Sequence, residues 1–482
     1  QNPVVRLGVV EAGGGKLRWI KLGDNDDTYI PRFGWVREGI LWAEVLNRNQ
    51  DKIDLYFIDA KSGKSRIVLH ESSSDAWINV NDDFRVLKSG DRFLWSSWRD
   101  SDTHLYLYSF DKQNPMGADA KLERQLTKGD FEVLSVEAVD DASGTVFFSS
   151  NKDDPRQRHI FSVKLEGGEV QALTHEEGMH FGNFSEDGKR YMETYSNSLA
   201  PPKMSVCTVG GACNSMWEAR SVAEYKLAPI KFLEFKTEDG TTLYGRLLLP
   251  PNAPASGKIP LIVNVYGGPA AQMVLKGWGG STEFFDQILA RKGFAIFAVD
   301  NRGTPGRNRK FQAAIRHEFG AIELGDQLMA LDQLLAKYPQ LDKNRMAIWG
   351  WSNGGSMTLY AMTHSERFKA GVAVAPVTNQ LNYDTIYTER YMGLPKDDPK
   401  GYTESDVTKS ADKLHGELLL VHGTSDDNVH FQNTIQMIDA LIKADKHFRL
   451  MIYPNKTHSI AGKDSRVNLF EMIEDHFERE LK

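Results

Sequence analysis

One stretch constrains the fold of this 482-residue chain more than any other: residues 345–356, R-M-A-I-W-G-W-S-N-G-G-S. Residues 346–349 are all apolar, the pattern of a strand buried on both faces of a parallel sheet. The run stops at Gly350. Beyond Gly354 and Gly355, residues Met357, Leu359, Tyr360 and Met362 recur at helical spacing. Strand, G-x-S-x-G, helix is the setting of a nucleophile elbow. A turn that tight admits only glycine on both sides of Ser352 and leaves its hydroxyl at the carboxyl edge of the sheet. The helix N-terminus behind it favours developing negative charge. A glycine-rich turn with an incidental serine would read the same, so the motif needs partners elsewhere.

A serine hydroxyl is a poor nucleophile until a histidine, oriented by a carboxylate, removes its proton. With an elbow the acid and then the base must follow at later strand ends. Residues 417–421 form a buried-strand pattern, and H-G-T-S-D-D-N-V-H follows, offering Asp426 and Asp427. Residues 448–453 form another, followed by P-N-K-T-H-S, which presents His458 before the last helical stretch. His422 and His430 flank the acid but fail the order. Ser352, an aspartate and His458 are the catalytic candidates.

The surrounding pattern agrees. Residues 230–235 and 241–249 read as a hairpin around E-D-G. Strands at 261–265, 295–299, 346–349, 371–375, 418–421 and 449–453 then alternate with helices such as 325–338, 433–444 and 467–481. That alternation implies a doubly wound, mostly parallel sheet with right-handed crossovers, an α/β-hydrolase arrangement over residues 223–482. An oxyanion hole needs two donors. The backbone N–H of Asn353 is one by construction of the elbow. The other should come from Y-G-G-P after residues 261–265, where Tyr266 either donates its phenol or is structural.

Residues 1–222 read differently, as all-β with internal repetition. Apolar–aromatic strands recur at 7–10, 55–58, 105–108, 160–163 and 204–207, each leading into a turn and a further strand. A period of roughly 45–55 residues suits four-stranded propeller blades, whereas immunoglobulin-like domains would repeat near ~100. Four to five blades fit and the first looks cut, so this region is expected to be the later part of a longer propeller. An apolar fraction of 41% supports large cores, and a formal charge of −7 argues against nucleic acid as a partner. No apolar run reaches the ~20 residues needed to span a bilayer. The chain begins at Gln1 without a signal peptide, which leaves targeting open. Cys207 and Cys213 bracket V-G-G-A on an expected hairpin. They form either a disulfide, which would favour an oxidising compartment, or two reduced thiols.

Five segments carry a resemblance: V-Y-G-G-P (265–269), D-N-R-G (300–303), G-W-S-N-G-G (350–355), Y-D-T-I-Y-T-E-R-Y-M-G-L-P (383–395) and H-G-T-S-D-D-N-V-H-F (422–431). Through them the chain resembles the prolyl oligopeptidase family, and within it the dipeptidyl peptidase IV branch. The resemblance implies Ser352 as nucleophile, Asp426 rather than Asp427 as the acid, and His458 as base. Tyr266 becomes the side-chain oxyanion donor beside the Asn353 N–H. A small pocket suited to proline would use Val377, Tyr383, Tyr387, Asn428 and Val429, with Arg390 supporting its wall. Two positions depart from the pattern. Asn353 stands where many members have tyrosine, and Gln380 where the branch has a tryptophan against the proline ring. Loss of that face removes about 0.5–1.5 kcal/mol of ring contact.

The resemblance implies a serine exopeptidase that releases N-terminal dipeptides with proline or alanine second, through an acyl-enzyme. Its partners would be short peptides with a free N-terminus. No cofactor, metal or nucleic acid is expected. A homodimer and a periplasmic or secreted location are carried over from the family. In the branch a glutamate pair on an earlier propeller blade grips the substrate's amine, in a region expected to precede this chain. Oligopeptidase, tripeptidyl or acylaminoacyl activity on the same fold is the alternative. A non-catalytic propeller protein is a third, against which the presence of Ser352, Asp426 and His458 argues.

Overall fold

The computed structural model describes residues 2–23, 27–253 and 258–482, so Gln1, where the expected first domain begins, lies outside it. Two compact units are formed. One comprises residues 1–197, 202–219 and 306–313, the other residues 198–201, 220–305 and 314–482.

The first unit is a succession of antiparallel sheets, each built from strands in sequence order. Arg85–Val86, Arg92–Asp100, Asp102–Ser109 and Lys121–Gln125 make one four-stranded sheet. Val133–Asp140, Thr145–Ser150, His159–Lys164 and Gln171–Ala172 make the next, and Met179–Phe184, Arg190–Ser196, Lys203–Thr208 and Cys213–Glu218 a third. A five-stranded sheet centred on Ile40–Asn47 and Lys52–Asp59 precedes them, and Gly8–Val9 pairs with Arg18–Trp19 before that. Consecutive sheets share cores. Leu94, Leu105 and Leu107 of one pack with Val146, Phe148 and Phe161 of the next. This face-to-face packing of small sheets is that of propeller blades. Cys207 and Cys213 are register partners on adjacent strands and are joined by a disulfide.

Residues 306–313 fall, in sequence, within the α/β half, yet they belong to this unit. Asn151 Nδ2 donates to the carbonyl of Gly306 (2.8 Å), Gln312 Nε2 to Glu132 Oε1 (3.0 Å), and the Arg309 N–H to the carbonyl of Ser101 (2.7 Å).

The second unit is organised on one eight-stranded sheet. Its order is Ile230–Lys236, Thr242–Leu248, Ala295–Asp300, Ile259–Asn264, Leu341–Trp351, Ala370–Val374, Glu417–Gly423, Arg449–Tyr453. The first hairpin pairs antiparallel, as does its contact with Ala295–Asp300, and the other pairings are parallel. Helices Gly280–Arg291 and Lys463–Leu481 bury Phe285, Leu289, Leu469, Ile473 and Phe477 with strand residues Ile262, Trp349, Val372 and Leu419 in one core. Helix Asn353–His364 lies against the strands of Ser352 and Val374, with Ala321–Lys337 beside it.

The elbow strand is longer than its apolar core predicts, Leu341–Trp351 instead of 346–349, because Asp342 ties its polar start. The Asp342 carboxylate accepts from the Asn344 N–H (3.0 Å) and from Arg345 Nε (2.9 Å). The helix also starts earlier than Met357, at Asn353, because the chain reverses within the single residue Ser352.

Candidate active site

Ser352 has φ 60° and ψ −121°, a left-handed conformation that costs a side-chain-bearing residue roughly 1–3 kcal/mol. Its neighbours explain how the strain is held. A Cβ on Gly350 would lie 2.2 Å from the Val265 carbonyl oxygen, and one on Gly354 2.1 Å from the same atom. A Cβ on Gly355 would meet the Val374 oxygen at 2.7 Å. The backbone passes so close to two strands that only glycine fits. The Ser352 N–H itself donates to the Val374 carbonyl (2.8 Å).

Asp426 and His458 come together at the next strand ends. Asp426 Oδ2 bonds His458 Nδ1 at 2.7 Å, while Oδ1 accepts the N–H groups of Asn428 (3.0 Å) and Val429 (2.9 Å). Burial alone would raise this carboxyl. The hydrogen bonds from His422 and His458 outweigh it and hold Asp426 well below the usual carboxylate range. Asp427 is exposed, so Asp426 is the aspartate that faces the histidine. Trp351 Nε1 donates to the His458 carbonyl (3.0 Å), tying the histidine loop to the residue before Ser352. Ser352 makes no hydrogen bond to His458 among the described residues. In substrate-free sites such contacts are long and tighten when substrate binds.

Tyr266 stands after the Ile259–Asn264 strand, and the D-N-R-G segment fixes its loop. Asn301 Nδ2 donates to the Gly267 carbonyl (2.9 Å), Gln327 holds Asn301 Oδ1 (2.9 Å), and Arg302 is paired with buried Asp326 (2.7 Å). Asn353 Nδ2 donates to the Tyr266 carbonyl (2.9 Å). Burial pushes the Tyr266 phenol up to about 12, with Tyr383 and Tyr391 acting the same way, so at neutral pH it is a hydrogen-bond donor. The N–H of Asn353 opens its helix and needs no intrahelical partner.

The aromatic wall is continuous. Tyr383 and Tyr387 meet edge to face at 5.1 Å, and Tyr387 and Tyr391 at 5.0 Å. Tyr383 donates its phenol to Asn428 Oδ1 (2.7 Å). Arg390, on the helix Thr385–Met392, acts on the Tyr391 phenol through charge and hydrogen bonding. Val429 is fully buried. Val377 is buried too, and its N–H donates to Ser356 Oγ (2.9 Å), which in turn donates to the Ser352 carbonyl (3.3 Å). Gln380 is buried on a short 3₁₀ turn and lines one cavity with Val377 and Asn353.

Four residues of this site escaped the sequence reading. His422, set aside on chain order, is fully buried with Nε2 3.2 Å from Asp426 Oδ2. Its Nδ1 meets Thr434 Oγ1 (2.7 Å). Trp351 and Ser356 carry no signal of their own beyond adjacency to the elbow. Glu323 reads as the acidic third residue of a helix, which marks a cap and not a cavity wall.

The chain is similar to known proteins along most of its length. Residues 281–482 match the Prolyl oligopeptidase family, and residues 1–202 match the dipeptidyl peptidase IV (DPP IV) N-terminal region. A probable dipeptidyl-aminopeptidase B of Aspergillus oryzae is 31% identical over 500 residues, covering 98% of this chain and 54% of its own length. Human dipeptidyl peptidase 8 is 31% identical over 513 residues, covering 93% of this chain and 57% of its own. The crystal structure of Porphyromonas gingivalis dipeptidyl peptidase 4 superposes with a TM-score of 0.92 at 30% identity, over 99% of this chain and 67% of that one. The chain thus spans about half the length of the curated relatives it matches. With a bladed all-β unit, an α/β-hydrolase sheet and these likenesses along almost its whole length, the chain belongs to the prolyl oligopeptidase family, in its dipeptidyl peptidase IV branch.

Proposed function

We propose that this chain carries the active centre of a serine exopeptidase that removes dipeptides from the free N-terminus of short peptides, with proline or alanine as the second residue. The observation that carries the reading is the 2.7 Å hydrogen bond between Asp426 and His458 Nδ1, beside a serine held in a strained elbow. Asp426 orients the imidazole so that Nε2 can take the Ser352 proton. Ser352 Oγ then bonds the carbonyl carbon of the second residue. The tetrahedral oxyanion is met by the Tyr266 phenol and the Asn353 N–H. His458 returns its proton to the leaving amine, the C–N bond breaks, and an acyl-enzyme remains. Water gives its proton to His458 and attacks the ester; as the C–O bond breaks His458 returns the proton to Ser352 Oγ, and the dipeptide acid leaves. Val377, Tyr383, Tyr387, Asn428 and Val429 surround the second side chain, and Arg390 holds the aromatic helix.

The same reading includes a homodimer working in a periplasmic or secreted setting. The disulfide Cys207–Cys213 supports the oxidising compartment. Sedimentation of the native protein with fractionation of its source cells tests both, and a cytosolic monomer would refute them. For the chemistry the test is an organophosphonate, which should label Ser352 stoichiometrically and nothing else. Labelling of another residue would overturn the assignment.

A further inference from the structure

Beside the candidate first pocket lies a cavity of about 20 Å³, the room of a single water-sized group. Asn353, Ser356, Val377 and Gln380 line it together with Glu323 and Tyr360. It starts at the nucleophile: Asn353 follows Ser352, and Ser356 Oγ bridges the Ser352 carbonyl and the Val377 N–H. Most of its polar groups are partly used. Asn353 spends its Nδ2 on the Tyr266 carbonyl, which leaves the amide oxygen over. Glu323 Oε2 accepts the Gly320 N–H (2.9 Å).

Gln380 is different. The residue is 6% exposed, and its amide makes no hydrogen bond to another described residue, yet its oxygen and nitrogen are not sealed off from solvent. A carboxamide that borders a cavity without spending its donor or acceptor on the protein can bond what enters. We infer that the first pocket extends into this cavity and accepts, besides proline and alanine, a second residue with an unbranched, uncharged, hydrogen-bonding side chain, glutamine above all. This rests on the reading of the chain as a dipeptide-releasing serine peptidase.

The size and polarity of the cavity select that class. Cβ, Cγ and Cδ of glutamine number the same as the three side-chain carbons of the proline ring, so they occupy the pocket proper. The amide oxygen and nitrogen on Cδ then reach past it, where only a slim polar end fits. Gln380 offers both a donor and an acceptor, and Asn353 an acceptor. Methionine would fill the space while leaving Gln380 unpaired. Lysine would meet Glu323, which burial pushes up to about 8 and which is therefore a neutral acid at pH 7, a poor partner for an ammonium. A second ring beyond the pocket has no room.

The experiment compares kcat/KM of the full-length protein on the 4-nitroanilides of Gly-Pro, Gly-Ala, Gly-Gln, Gly-Met and Gly-Lys. Gly-Gln should exceed Gly-Met by roughly five- to tenfold, the worth of about one hydrogen bond in a desolvated pocket. Gln380→Leu should bring that ratio close to one. Gly-Gln no better than Gly-Met, a ratio that survives the substitution, or Gly-Lys as the best of the five would each overturn the inference. If the variant does not fold, the wild-type ratio decides. Release from Gly-Pro or Gly-Ala together with silence on Gly-Gln sinks this inference alone. Silence on all five sinks the dipeptidyl reading beneath it.

Discussion

Glu132 in the all-β unit and Glu323 in the α/β unit are both buried acids, and in both burial pushes the carboxyl up to about 8. Their surroundings differ. Glu132 sits inside a closed set of contacts: Oε1 accepts from Gln312 (3.0 Å), its N–H donates to Asn151 Oδ1 (2.9 Å), and its carbonyl accepts from Ser150 Oγ (2.7 Å). Thr103 also hydrogen-bonds its carboxyl. Glu323 caps its helix through Gly320 and borders a cavity that begins at the nucleophile. A perturbed carboxyl marks a functional place only where open space and a reactive neighbour accompany it. Without them it is a matter of stability.

That contrast predicts two separable classes of mutant, and the largest effect belongs to the sheet edge. Ser352→Ala should lower kcat by about 10⁶-fold, the usual cost of removing such a nucleophile, with the unfolding midpoint equal to or above that of the wild type. A variant keeping more than a few per cent of activity would dissolve the proposed triad. Asp426→Asn should follow at about 10⁴-fold, because the amide favours the wrong imidazole tautomer. Asp427→Asn, at an exposed position one residue away, should change turnover less than tenfold. Reversal of that order would move the acid by one residue.

Tyr266→Phe comes next. Its hydroxyl is expected to bond only the developing oxyanion, so kcat should fall by about 10²–10³-fold with KM nearly constant. A rise in KM at unchanged kcat would make the phenol a ground-state contact instead.

The smallest effect lies in the other unit and appears as stability. Burial pushes the Glu132 carboxyl from an ordinary 4.5 up to about 8, so between those limits the unfolded chain has released a proton that the folded chain retains. Its stabilising contribution is therefore complete below pH 4.5 and is lost as pH rises through 8. The slope is at most about 1.4 kcal/mol per pH unit for one proton. Glu132→Gln should remove that slope, leaving a protein less dependent on pH from 5 to 8 and unchanged in kcat per folded molecule. Denaturant titrations at three pH values would show it. An unaltered slope would mean that Glu132 is already ionised in the folded state.

Much of the second unit could be read from the chain because parallel strands buried on both faces are continuous apolar runs. Residues 261–265, 295–299 and 418–421 all fall within or against strands of the sheet. The Ser–Asp–His order at successive strand ends was equally visible. What sequence could not supply was side-chain direction. Asp426 and Asp427 are chemically identical neighbours, and only the turn after Gly423 buries one and exposes the other. His422 looked like a competitor for His458. It lies instead behind the acid, since it ends a strand whose side chains alternate between the faces of the sheet. Gln380 could be placed by motif, but the cavity it borders is built by residues 319–323, 353–360 and 405–407.

The segment Gly306–Ala313 has a consequence for how this protein is made. A chain leaving the ribosome presents all the strands of the β unit first, through Cys213–Glu218. At that stage Glu132 has no Gln312 to meet it, and the Asn151 amide has no Gly306 carbonyl. Both partners arrive only after the first half of the α/β sheet has been synthesised. Synthesis order and assembly order therefore part company: the β unit starts early but cannot close until its neighbour is well under way. Cutting the chain at residue 219 would produce not a free-standing module but one with a buried acid awaiting its partner.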